Sequence, residues 1–258
     1  MKNADAQSPD LASLLAIANK DRIYTVRDSD AFAFGDEVAE VFDDMVSRSV
    51  PNYLDLQLLV SGVAVKFHRQ DTAIYDLGCS TGTSLALIAK RLPKHFKLYG
   101  VDSSSSMLKK AEEKLTQLNV RGQICLKNER LQDIELRPSS SIFANYTLQF
   151  LPTVDRKLAL RKIYSALIPG GAFLLSEKTA SPHSEDSTDI IRELHEDFKF
   201  QNGYSTSEIA RKRESLNGVL VPLSIEENIQ LLREAGFTTI IEVLRGYRFI
   251  TWLCVRDS

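Results

Sequence analysis

The chain has 258 residues, 43% of them apolar and 26% charged, which suits one large α/β domain or two small ones with a sizeable core. Net charge is −2, from 32 basic and 34 acidic residues with no long basic run, so no direct nucleic acid binding is expected. No apolar stretch approaches the ~18 residues of a membrane span, the N-terminus lacks a signal-peptide pattern, and Cys79, Cys125 and Cys254 have neither metal-ligand spacing nor an even count; the expectation is a cytoplasmic protein without membrane contact or metal.

Residues 1–35 read as an arm, partly mobile, with a short helix possible over Leu11–Ile17. The remainder, 36–258, reads as a single domain. Val38, Val41, Phe42 and Met45 fall at i, i+3, i+4 and i+7 and predict a helix from Asp36. Ser49-Val50-Pro51-Asn52-Tyr53 breaks it, and a second helix is expected from Leu54 to Phe67. These helices, within 36–70, are expected to close as a lid over the strand ends. Tyr53, just past the proline, is then either a lid residue or a half-buried packing tyrosine.

The stretch that organises the chain follows: Ala73-Ile74-Tyr75-Asp76-Leu77-Gly78-Cys79-Ser80-Thr81-Gly82-Thr83-Ser84. It reads as strand, glycine turn and helix start, a shape that brings backbone N–H groups and a helix N-terminus close to a ligand. Asp76 before the turn suits a ligand with positive charge or hydroxyls. A second strand, Phe96 to Val101, ends in Asp102, placed to accept the hydroxyls of a ribose. Gly78-Cys79-Ser80-Thr81-Gly82 also fits a Gly-x-Ser-x-Gly nucleophile elbow, but that elbow follows several earlier strands, and here helices precede.

The turn and the second-strand acid resemble the class I S-adenosylmethionine-dependent methyltransferase fold. The rest of the core alternates as that fold requires. A helix opens at Ser103–Ser106 with Met107, Leu108, Ala111 and Leu115 inward. Strands are expected at 123–126, 142–145 and 172–175, with a helix at 156–167 ended by Pro169-Gly170-Gly171. A last helix from Ser224 to Ala235 leads to strands Thr239–Leu244 and Phe249–Val255. The predicted fold is therefore a Rossmann-like, seven-stranded, mostly parallel sheet with an antiparallel last strand, N-terminal helices and a helical insertion.

That insertion, 179–222, reads as two helices. The first carries Ile190, Leu194 and Phe198; the second opens on the capping box Ser205-Thr206-Ser207-Glu208. Ile209, Arg213 and Leu216 share a stripe at i, i+4 and i+7. Arg213 is then expected on the buried side, in need of a carboxylate partner, while Arg211 and Lys212 face solvent.

Arg48-Ser49-Val50-Pro51, Tyr75-Asp76-Leu77-Gly78-Cys79-Ser80, Thr147-Leu148-Gln149-Phe150-Leu151, Ser176-Glu177-Lys178 and Asn202-Gly203-Tyr204-Ser205 with Lys212-Arg213 together resemble the carboxy-S-adenosyl-L-methionine synthases, bacterial relatives of the class I methyltransferases. The resemblance spans about 34–258. It implies conversion of S-adenosyl-L-methionine and prephenate to carboxy-S-adenosyl-L-methionine and phenylpyruvate, which supplies the oxyacetyl modification of the tRNA wobble uridine. It also implies a homodimer through the inserted helices. By the same resemblance Tyr53, Gly78, Cys79, Ser80, Asp102, Ser103, Asn145 and Arg213 match ligand-binding positions, with Arg213 gripping the added carboxylate. Arg130 and Leu131 stand where the family has an adenine-contacting acid and an apolar residue. An arginine cannot accept the adenine amine's hydrogen bond, so Glu129 or a backbone carbonyl is the substitute. The expected chemistry is modest in protein machinery: a sulfonium acidifies its methyl group, which can then capture carbon dioxide lost from prephenate, while the protein holds the ligands and excludes water. His195 is expected to be structural. An ordinary methyltransferase and a non-catalytic S-adenosylmethionine-binding subunit remain as alternatives.

Overall fold

The computed structural model describes residues 19–26, 32–93, 95–120, 124–181 and 189–257. The short helix expected over 11–17 lies outside them. β1 (Ala73–Leu77), β2 (Lys97–Asp102), β3 (Ile124–Asn128), β4 (Ser139–Asn145), β5 (Leu167–Lys178), β6 (Thr239–Gly246) and β7 (Phe249–Val255) form a seven-stranded sheet in the order β3-β2-β1-β4-β5-β7-β6. The pairs β1·β2, β1·β4, β2·β3 and β4·β5 are parallel, and β7 runs antiparallel between β5 and β6. This is the predicted sheet. Every residue of β1 is buried, as a central parallel strand covered on both faces requires. Strand order reverses at β1, so the sheet opens a crevice beyond its carboxyl end, where an α/β fold receives ligands.

Helices cover both faces. α3 (Tyr53–Phe67) and α4 (Thr83–Arg91) bury Leu56, Val60, Leu85 and Ile88 against Ile74, Phe143 and Leu174. α6 (Thr153–Ala166) and α9 (Ile225–Ala235) bury Leu160, Ile163, Leu231 and Leu232 with Tyr75, Phe173 and Trp252. α2 (Asp36–Ser49) and α5 (Ser105–Gln117) share a smaller cluster of Val38, Met45 and Met107. Each fully buried Leu or Ile contributes on the order of 1.5–3 kcal/mol.

One expectation, that Arg211 faces solvent, is corrected. Part of the N-terminal arm is built into the fold: α1 (Ile23–Val26) packs on α8 (Thr206–Ser215), with Asp21 and Tyr24 buried. Tyr204 Oη donates to Asp21 Oδ2 at 2.6 Å, and Arg211 Nη1 donates to the Tyr24 carbonyl at 2.6 Å, so Arg211 is not free in solvent. These are long-range partners that local composition does not reveal. In the insertion, α7 (Ile190–Gln201) turns Ile190 and Leu194 away from its own chain, 63% and 50% exposed, and His195 is the helix's buried residue.

Candidate active site

Gly78 follows β1 with φ +77°, Ser80 has φ +49° and Gly82 φ +78°, a run of left-handed backbone that reverses the chain into α4. Glycine is required at Gly78 by more than its φ. A Cβ there would lie 2.3 Å from Thr147 Oγ1, and that hydroxyl is fixed by donating to the Leu77 carbonyl at 2.9 Å. The space beside Gly78 therefore belongs to Thr147 and not to a ligand. The amides of the turn are also engaged: Gly78 N–H and Cys79 N–H donate to the Val101 carbonyl at 2.8 and 3.0 Å, and Ser80 N–H donates to Asp102 Oδ2 at 2.9 Å. The expected open row of N–H donors at Gly78–Ser80 is absent. The reason is that the same amides bind the turn to β2.

A cavity of about 420 Å³ opens over this turn. Tyr53, Gly78, Cys79, Asp102, Ser103 and Asn145 line it, as do Arg130 and Leu131 together with Glu129. Ser80 supports the wall from behind, its hydroxyl 3.3 Å from Met107 Sδ. α2 and α3 contribute Phe42, Met45 and Gln57, and Phe32 and Phe34 close the same side. Phe34 meets Phe32 and Phe150 edge to face at 4.9 and 5.1 Å between ring centroids. Such an aromatic wall suits a flat, apolar-faced group.

Arg213 is not there. Its side chain is 55% exposed and pairs with Glu196 at 2.6 Å, in a surface groove between α7 and α8. The inward cation is Lys212, only 8% exposed, so both the buried reading of Arg213 and the solvated reading of Lys212 are corrected. The buried positions of α8 are Ile209, Lys212 and Ser215, a stripe at i, i+3 and i+6. Tyr204 and Ser49, distant in sequence, draw Lys212 inward: its Nζ donates to Ser49 Oγ at 3.0 Å and lies 5.5 Å from the Tyr204 ring centroid.

Asp76 and Asn145, in the cavity wall, each have polar atoms without a hydrogen-bond partner among the described residues. Asp76 is 2% exposed, and its carboxylate has no hydrogen bond among the described residues. Burial, helped by the charge of Asp102, pushes its pKa up to about 7. Asn145 accepts from Ser176 Oγ at 2.9 Å through Oδ1, while its buried Nδ2 has no partner. A buried acceptor and a buried donor left open in one cavity call for a ligand bearing a cation and an acceptor. Asp102 is more settled, its two oxygens accepting from Ser80 and Ser104 N–H at 2.9 Å each. Burial still raises its pKa, while the amides of Ser104, Ser80 and Ser103 oppose that rise. His195 Nε2 lies 2.9 Å from the Ser49 carbonyl, which requires the N–H on that nitrogen. Burial, then the charge of Lys199, lower its pKa to about 3, so it stays neutral. Sequence reading missed Lys178 and Lys199, which also line the cavity; no local pattern marks them, because each comes from a different element. Among the described residues no helix is long and apolar enough to cross a membrane, and no group of three or more His, Cys, Asp or Glu could hold a metal ion.

Comparisons with known proteins agree with this fold. A family model described as a methyltransferase domain matches residues 74–171. The chain is 38% identical over 237 residues to the carboxy-S-adenosyl-L-methionine synthase of a Nitratiruptor species, covering 92% of this chain and 98% of that one. It is 40% identical over 229 residues to the synthase of the same name from Trichodesmium erythraeum, covering 88% and 89% of the two chains. Among solved structures, an O-methyltransferase family protein from Burkholderia thailandensis superposes with a TM-score of 0.62 at 18% identity, over 90% of this chain and 66% of that one. Magnesium protoporphyrin IX methyltransferase from Synechocystis gives 0.54 at 14% identity, over 79% and 84%. At such identities the structural likeness establishes the fold alone.

Proposed function

The chain belongs to the carboxy-S-adenosyl-L-methionine synthase family, and we propose that it converts S-adenosyl-L-methionine and prephenate to carboxy-S-adenosyl-L-methionine and phenylpyruvate in the cavity over Gly78. The observation that carries the reading is Asp76, a buried carboxylate without a hydrogen-bond partner among the described residues, in a cavity that also holds Asp102 and Asn145. These residues fit an S-adenosyl ligand. Asp76 offers an acceptor to its ammonium, Asp102 to its ribose hydroxyls and Asn145 Nδ2 a donor, while the wall of Phe32, Phe34 and Phe150 suits its adenine. Tyr53, Cys79 and Ser103 shape the remaining surface. Arg130, Leu131 and Glu129 stand beside the base, and the Glu129 carboxylate, 3.3 Å from Lys127 Nζ, is the available acceptor.

Bound S-adenosyl-L-methionine supplies a sulfonium that acidifies its methyl group. Prephenate loses carbon dioxide and hydroxide as its ring becomes aromatic. The hydroxide leaves as water with the methyl proton, and carbon dioxide becomes the new carboxylate, so charge and atoms balance. The protein's part is to hold both ligands together, exclude water and receive the added charge. His195 takes no part, because its N–H is tied to the Ser49 carbonyl. The product would serve a partner enzyme that modifies the tRNA wobble uridine.

A homodimer through the inserted helices is supported by the apolar face of α7, with Ile190 and Leu194 uncovered within the chain. Arg213 lies on this outer side, so a carboxylate gripped by Arg213 would sit in the cavity of a second copy docked there. Mass spectrometry of the ligand that co-purifies tests the activity. The expected species is heavier than S-adenosyl-L-methionine by one carbon dioxide. Recovery of only S-adenosyl-L-methionine or its demethylated product after prephenate is supplied would instead favour an ordinary methyltransferase or a binding subunit.

A further inference from the structure

Three lysines from three elements meet in the cavity: Lys178 at the end of β5, Lys199 in the last turn of α7 and Lys212 in the last turn of α8. Lys178 Nζ lies 5.9 Å from the Phe249 ring centroid, and Lys212 is held by Ser49 and Tyr204. Among the described residues none of the three forms an ion pair. The acids that act on Lys178 and Lys199 are Asp189 and Glu196, already bound to Arg248 at 2.5 Å and Arg213 at 2.6 Å. Those that act on Lys212, Asp21 and Asp44, accept from Tyr204 Oη and Arg48. Buried cations without counter-ions are costly. Burial first, with repulsion from neighbouring cations, lowers the pKa of all three, Lys199 to about 8 and Lys212 to about 7.

Asp76 and Asp102 stand near the carboxyl ends of β1 and β2, whereas Lys178 ends β5 and Lys199 and Lys212 come from the inserted helices, so the cavity has an acidic region at the turn and a basic one under the insertion. S-adenosyl-L-methionine does not account for the basic region. Its sulfonium and ammonium are repelled there, and its single carboxylate sits beside its own ammonium.

We propose that Lys178, Lys199 and Lys212 seat the two carboxylates of the carboxyl donor, a small dianionic acid, beside the S-adenosyl ligand. This rests on the carboxyl-transfer reading above. Three crowded ammonium groups complement two carboxylates through charge-assisted hydrogen bonds. The arrangement also sets the donor apart from the acidic region that receives the first ligand.

The experiment is calorimetry on the full chain saturated with S-adenosylhomocysteine, which has no methyl group to react, using prephenate and malonate as dianion probes. Each of Lys178→Met, Lys199→Met and Lys212→Met should weaken both probes about tenfold to a hundredfold. S-adenosylhomocysteine affinity should stay within about threefold of the parent. Lys212→Arg should restore dianion binding, which a purely structural role would not predict, and Lys→Gln variants replace any Met variant that fails to fold. Failure of either dianion to bind the parent protein, equal binding by parent and variants, or a parallel loss of S-adenosylhomocysteine would overturn the seat. If the dianions bind as described but prephenate is not turned over with S-adenosyl-L-methionine, the seat stands and the donor assignment fails.

Discussion

Lys114→Met should destabilise the protein and loosen the glycine turn together. Lys114 and Asp43 are buried, with side chains 6% and 9% exposed, and their charged atoms lie 2.6 Å apart. Lys114 Nζ also donates to Thr83 Oγ1 at 2.7 Å and Thr81 Oγ1 at 3.1 Å, while Asp43 Oδ1 accepts from both hydroxyls at 2.6 and 3.2 Å. One ion pair thus joins α2, α5 and the residues on either side of Gly82. Removing one partner of a buried pair costs about 3–5 kcal/mol, because the other charge is stranded. Asp43 keeps two hydroxyl donors, so the lower end, about 3 kcal/mol, is expected, or a fall in Tm on the order of 10 °C for a chain of this size. Asp43→Asn with Lys114→Met should recover part of it, since the amide oxygen still accepts from the threonines and no charge is left. Urea denaturation of the parent, both single variants and the double variant gives the coupling, and calorimetry gives S-adenosyl-L-methionine affinity, expected to fall with the turn. A single-variant cost below about 1 kcal/mol, or strictly additive costs, would refute the reasoning.

Asp76→Asn should weaken S-adenosyl-L-methionine about tenfold to a hundredfold yet raise the Tm of the ligand-free protein at pH 8. The sign follows from its raised pKa, from 3.8 to about 7: the folded form retains a proton that the unfolded chain has lost, so this group's stabilisation is full at low pH and is gone above pH 7. Ligand affinity should move oppositely, rising as pH passes through about 7 and the carboxylate ionises; a flat pH profile would exclude Asp76 as the ammonium's acceptor. Gly78→Ala should cost about 2–4 kcal/mol through strain at positive φ and overlap with Thr147, and Thr147→Gly in the same chain should recover the overlap part in thermal melts. Leu194→Glu should give monomers by light scattering with an unchanged circular dichroism spectrum; an unchanged mass would locate the interface elsewhere.

The sheet was legible in the sequence because its signals are local. An apolar run breaking at Gly78, an acid closing the next strand and Gly236 ending α9 each report the chain's own conformation within a few residues. For the same reason the Gly78 turn and Asp102 could be read together from the residues, since strand ends of a parallel sheet converge, whereas Asn145 was implied only by the family resemblance. The cations of α8 were not legible. Ile209 and Leu216 fix the helix phase only loosely, and one residue of phase separates Arg213 from Lys212. What decides it is Ser49 and the Tyr204 ring, which hold Lys212, and Glu196, which holds Arg213 on the outside. Lys178, Lys199 and Lys212, which form no ion pair among the described residues, come together only where β5, α7 and α8 meet. Burial and repulsion depend on what surrounds a group in space, and it was tertiary packing alone that put three scattered lysines around one cavity.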